Sequence, residues 1–159
     1  MYLLSRRATL LTMAGALATL AVQRARAESR PKMTLYKSAS CVCCQKWADH
    51  VSAAGFPVET VTPAHMDAVK ARLGVPVNLR SCHTAEVAGY VIEGHVPVAA
   101  LQRLLDERPQ AVGLAVPGMP AGSPGMEGGE PEAFDVVIFT HETRRVFGRF
   151  KGATELSRG

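Results

Sequence analysis

Apolar positions along the chain change their period several times, and each change marks an element. Met33-Thr-Leu-Tyr36 is a short apolar run that predicts a strand. Beyond it Trp47, Val51 and Ala54 recur at helical spacing and stop at Gly55. Pro57–Val61 reads as a second strand, and Met66, Val69 and Leu73 mark a second helix ending at Gly74. Residues 84–92 alternate around Val87, Gly89 and Val91 as a strand region, and Gly94–Pro97 makes a turn. Val98, Leu101 and Leu105 carry a third helix, closed by Pro109. Strands alternating with helices in this order predict an α/β domain.

The pattern then breaks. Residues 109–133 hold six glycines and five prolines, too many for a helix or a central strand. Within them Pro117-Gly118-Met119 recurs as Pro124-Gly125-Met126, which favours a functional loop over a disordered linker. "FDVVIFT" and "RRVFGRF" follow as two strands around a His141–Arg144 turn, a hairpin expected to join or flank the sheet.

The N-terminal residues follow other rules. Ser5-Arg6-Arg7 precedes an apolar run of 15 residues, Ala8–Val22, and Ala25-Arg26-Ala27 supplies an A-x-A cleavage pattern. The run falls short of the ~20 residues that cross a bilayer. It therefore reads as an export signal over residues 1–27, cleaved near Ala27, and not as a permanent membrane anchor. The paired arginines before Ala-Thr-Leu-Leu resemble a twin-arginine signal, which implies export in the folded state; the usual phenylalanine and lysine are absent, and Sec export stays open.

Cleavage changes the charge. The chain has 18 Lys+Arg against 14 Asp+Glu, but Arg6, Arg7, Arg24 and Arg26 all lie in the signal, leaving 14 of each. A mature chain of zero formal charge carries no nucleic-acid footprint. Its 132 remaining residues suffice for one domain with a real core. Residues 28–108 read as that core and residues 109–159 as an extension completing the same domain.

All four cysteines survive cleavage and face an oxidising compartment. Cys41 and Cys44 form a C-x-x-C between a strand and a helix, the thioredoxin arrangement. The positive end of the helix lowers a thiol pKa there and favours the thiolate, which is both nucleophile and metal ligand. The motif alone does not separate redox exchange from metal binding. Cys43 bears on the choice: it is poorly placed to pair with adjacent Cys44, yet three sulfurs on one helix-start turn make a soft ligand cluster. The alternative is structural, with Cys41–Cys44 and Cys43–Cys82 as two bridges.

"RSCHT" adds Cys82 and His83, which share one centre only if the backbone bends there. His95 is a second-tier candidate as a turn residue, His50, His65 and His141 read as solvent-facing, and Trp47 reads as core. Zinc would accept Cys₃His or Cys₄. Met119 and Met126 tilt the choice, since thioether sulfur suits Cu(I) and seldom binds zinc. Several thiolates on short spacings could also bridge more than one Cu(I). No H-E-x-x-H, phosphate-cradling glycine loop or G-x-S-x-G elbow is present.

Together "CVCC", "RSCHTAEVAGYVIEGHVP", "ERPQAVGLAVPGMPAGSPGME" and "FDVVIF" resemble the exported CopG-type copper-resistance proteins, a CXCC metal-binding family. The resemblance spans about residues 33–150. It implies a thioredoxin-like domain with a Gly/Pro/Met-rich C-terminal extension and terminal β-hairpin, and a role in periplasmic copper tolerance. It also implies copper bound at Cys41, Cys43 and Cys44, then Cys82 and His83, then Met119 and Met126. Interconversion of Cu(I) and Cu(II) would make such a protein a copper oxidoreductase, and copper efflux or carrier proteins would be its partners. The alternative function is a periplasmic thiol–disulfide oxidoreductase in which Cys41 attacks and Cys44 resolves.

Overall fold

The computed structural model describes residues 30–159, so the export signal read at residues 1–27 lies outside the described residues. Pro31–Gly159 forms one compact unit. β1 (Met33–Tyr36) leads into α1 (Val42–Ala53), β2 (Val58–Val61), α2 (Met66–Arg72) and a 3₁₀ turn at Val77–Leu79. β3 (Thr84–Val87), β4 (Tyr90–Glu93), α3 (Val98–Glu107) and β5 (Gly113–Ala115) follow, then β6 (Ala133–Phe139), β7 (Arg144–Lys151) and β8 (Thr154–Arg158). The fold is mixed α/β, as the alternating pattern predicts.

One sheet of eight strands, in the order β2-β1-β3-β4-β5-β6-β7-β8, holds the unit together. β1 pairs in parallel with β2 and β4 with β5; every other neighbouring pair is antiparallel. Side chains alternate faces along each strand. Ile92, Leu114, Val136 and Ile138 therefore meet Trp47 and Val51 of α1 and Leu101 and Leu104 of α3 in the larger core. Val91, Ala115 and Phe139 pack on the opposite face against Val75 and Leu79, beside α2. α1 earns its place through Cys44, Trp47, Ala48 and Val51, buried at the i, i+3, i+4, i+7 spacing of one helix face.

Three elements depart from the sequence pattern. Residues 84–92 form a tight hairpin, not one strand region: Ala88 (φ 48°) and Gly89 (φ 84°) both take positive φ, as a type I′ turn requires. Gly113–Ala115, inside the glycine- and proline-rich stretch, is a central strand between β4 and β5's other neighbour β6. Glycine is needed there because a Cβ on Gly113 would lie 1.7 Å from the Val91 carbonyl oxygen. The expected hairpin of β6 and β7 is present but not terminal, since β8 adds a third antiparallel strand. Among the described residues no helix is long and apolar enough to cross a membrane.

Candidate metal centre

Cys41 sits at the N-cap of α1 in extended conformation, and its carbonyl accepts the Gln45 N–H at 3.3 Å. No side chain caps the helix start. The unpaired N–H groups of the first turn thus lie in the same segment as Cys41, Cys43 and Cys44. Cys41 and Cys44 are joined in a disulfide, while Cys43 and Cys82 are free thiols. Cys43 Sγ lies 3.5 Å from Cys41 Sγ and 3.9 Å from Cys82 Sγ. All four sulfurs fall within 4.8 Å of one another, although Cys82 comes from a segment 39 residues beyond Cys43. Half of the two-bridge alternative is thus formed, and the other two thiols are adjacent but unbonded.

The backbone bends at Cys82 before β3 begins at Thr84, and the bend lets neighbouring side chains converge. Cys82 Sγ is 3.4 Å from His83 Nδ1 and 3.1 Å from His95 Nε2. These three residues form a second group of donors that shares Cys82 with the sulfur cluster. His95 is fully buried, not the ordinary turn residue that its sequence setting suggests. Its place follows from the hairpin register, which the sequence pattern does not show: pairing of Thr84 with Glu93, continued outward by two residues, brings His95 opposite Cys82.

Electrostatics keep this group neutral. His95 Nδ1 is 2.8 Å from the Pro124 carbonyl, which only accepts, so Nδ1 carries the proton and Nε2 presents its lone pair to Cys82. Burial lowers the His95 pKa. Burial first, then neighbouring His95 and Lys70, holds His83 well below the ordinary imidazole range. The Cys82 thiol is pushed up to about 11 by burial and by the adjacent Cys43. His83 Nε2 is buried without a hydrogen-bond partner, and its ring packs 4.5 Å from Trp47 and 4.9 Å from His95. Trp47 is core, as its spacing predicts, and its Nε1 donates to the Val96 carbonyl at 2.9 Å.

The Pro-Gly-Met repeat divides. Pro124 and Gly125 are buried against α1, where a Cβ on Gly125 (φ 90°) would stand 2.7 Å from the Cys43 carbonyl and 2.9 Å from the Trp47 nitrogen. Only glycine permits that approach. Met126 then lines an open cleft of about 260 Å³ with Val42, Cys43, Lys46, Gly125 and Glu127. Met119 is 54% exposed and outside that cleft, although Gly118 beside it accepts a hydrogen bond from the Ser81 hydroxyl. Of the remaining histidines His65 and His141 are exposed, whereas His50 is half-buried, with Nε2 lacking a partner.

Four cysteine sulfurs and two neutral imidazoles suit a soft or borderline metal ion. The family described as "Protein of unknown function, DUF411" matches residues 79–126, the span from the Cys82 bend to Met126. No curated protein matches. Among solved structures, "Copper resistance protein copG- Form 2" is similar at 44% identity and TM-score 0.73, covering 76% of this chain and 98% of that one. "Copper resistance protein copG- Form 1" is similar at 44% identity and TM-score 0.72, covering 77% and 99%. With that identity over about three quarters of this chain and nearly all of each solved structure, and a cysteine cluster able to hold metal, the chain belongs to the CopG family of copper resistance proteins.

Proposed function

We propose that this chain is a periplasmic copper-binding protein of copper tolerance, with Cys41, Cys43, Cys44 and Cys82 as its thiolate ligands. His83, Met126 and, further out, Met119 complete the donor set. The observation that carries the reading is the gathering of four sulfurs within 4.8 Å from two distant segments. Thiolate and thioether sulfur select Cu(I). Thiolates bridge metal ions readily, so the cluster suits more than one copper. Two of the four donors are tied up while Cys41–Cys44 remains a disulfide. Two electrons from an external thiol reductant convert it to the dithiol and complete the set. Oxidation of that dithiol back to the disulfide releases two protons and two electrons, enough to reduce two Cu(II) to Cu(I), and this balance supports the finer reading that the two copper states interconvert here.

A C-x-x-C at the start of α1, directly after β1, supports a thioredoxin-like domain. The export signal and the disulfide support a periplasmic setting. Copper carriers or efflux proteins are the partners such a site would serve.

One observation favours a second reading, thiol–disulfide exchange. Cys41 is partly exposed and Cys44 fully buried, the order needed for Cys41 to be attacked or attack and Cys44 to resolve. Copper content of protein purified from its native compartment, set against insulin reduction by the same preparation, decides between them. Bound copper with negligible reductase activity supports the first reading; metal-free, active protein supports the second.

A further inference from the structure

The bend that presents Cys82 lies just beyond the β3–β4 ladder, whose paired residues begin at Thr84 and whose last backbone bond runs from the Gly94 N–H to the His83 carbonyl at 3.0 Å. A buried network grips it from both sides. On one side the Ser81 N–H donates to Glu93 Oε1 at 2.6 Å. On the other, the Thr84 hydroxyl donates to Glu93 Oε2 at 2.7 Å. Lys70 of α2 closes the network, donating to Glu93 Oε1 at 2.6 Å and to Thr84 Oγ1 at 2.9 Å. Glu93 is fully buried and Lys70 nearly so. Ser81, Thr84 and Glu93 lie within "RSCHTAEVAGYVIEGHVP", but neither they nor Lys70 carry a role readable from the sequence pattern.

Stability is a weak reason to bury such a pair, because apolar residues of similar volume often serve as well or better. Geometry is a stronger one. A single carboxylate spans residues 81 and 84, so the path of Cys82 and His83 between them is fixed at both ends. We propose that Glu93, oriented by Lys70, is a positioning residue that sets the aim of Cys82 Sγ toward Cys43 and His95. The proposal rests on the reading of Cys82 as a copper ligand. Partners that orient a ligand from behind are commonly worth 10- to 100-fold in metal affinity.

The test uses the full chain as Lys70→Met/Glu93→Leu, as Cys82→Ser, and as the combination. Replacing both charges together leaves neither buried and unpaired, so the fold should persist. Cu(I) affinity is measured on reduced protein by competition with a chromogenic Cu(I) chelator. The expected result is a fall of about 10- to 100-fold in the otherwise native chain. In the Cys82→Ser background the same pair should cost less than about twofold, because the residue it aims is gone. An equal fall in both backgrounds, or none in either, overturns the proposal.

A metal-free measurement separates this idea from the copper reading. Iodoacetamide labelling of reduced protein, mapped by peptide mass, should accelerate severalfold at Cys82 in Lys70→Met/Glu93→Leu and stay unchanged at Cys43. Equal acceleration at both thiols, or none, overturns positioning whatever the metal result. If Cys82→Ser leaves Cu(I) affinity untouched while labelling changes as expected, the copper role of Cys82 is what has failed. Should the paired variant not fold, Thr84→Val and Thr84→Ser repeat both measurements: the valine loses the bond to Glu93, and the serine restores it.

Discussion

Cys43 differs from its neighbours Cys41 and Cys44 in having no covalent partner, and this separates the roles of the three. Cys43→Ser removes a half-buried thiol with no covalent bond and only weak sulfur contacts, so stability of the metal-free protein should shift by no more than about 0.5 kcal/mol. Copper binding should drop sharply, as equilibrium dialysis beside a urea melt will show. Cys44→Ser instead breaks the disulfide, and the entropy of its short loop predicts a loss of about 2 kcal/mol under oxidising conditions. That disulfide share should vanish when both proteins are reduced, leaving only the cost of a hydroxyl in the buried position 44. The sequence supports the cluster but not its pairing, because spacing allows several bridges and only the fold brings Cys82 to Cys43. His50 shows another gap between pattern and packing. Its surroundings lower its pKa through burial, opposed by Glu127, so the unfolded chain binds the proton more readily. The sign follows: stability from neutral His50 is present above the ordinary value of 6.5 and is lost as pH falls below it. His50→Gln should flatten that acid-side decline in thermal melts taken from about pH 7 to pH 5.

Among the elements, β1, α1 and α3 were legible because each buries one face with an unbroken period. The β3–β4 hairpin was not, since its turn is two residues long and begins with alanine, a residue that rarely signals positive φ. β5 was hidden for a related reason: Gly113 weakens any strand signal, yet the Val91 backbone leaves no room for a side chain. Gly113→Ala should therefore destabilise the protein by at least about 1–3 kcal/mol, measured by denaturant titration. The Pro-Gly-Met loop was legible as a repeat but not as two unlike halves, because which thioether meets the cysteines depends on how the loop lies on α1. Met126, in the cleft with Cys43, should carry the larger share. Met126→Leu is expected to weaken Cu(I) binding while zinc binding and folding hold, the volume change costing less than about 1.5 kcal/mol. Met119→Leu should do less in the same chelator competition, given its exposure.

At the scale of the whole molecule, the sheet carries the site at the meeting point of α1, the β3–β4 hairpin and the Pro-Gly-Met loop. The fold class was readable from the alternation of strands and helices. The eight-strand extent was not, because β5 and β8 are short or exposed and gain their identity from neighbours. Arg103 shows how the added strands are fastened: from α3 it pairs with Glu155 of β8, bonds the Phe147 carbonyl and stacks 3.9 Å from the Phe147 ring. Trp47 occupies the junction itself, and it is the one tryptophan in the chain. Fully buried, one helical turn from Cys44 and packed on His83, its indole is an optical probe built into the site. Disulfides and bound copper both quench indole emission at short range. Reducing Cys41–Cys44 should therefore brighten fluorescence without moving its blue-shifted maximum, Cu(I) should dim it again, and only unfolding should carry the maximum to the red.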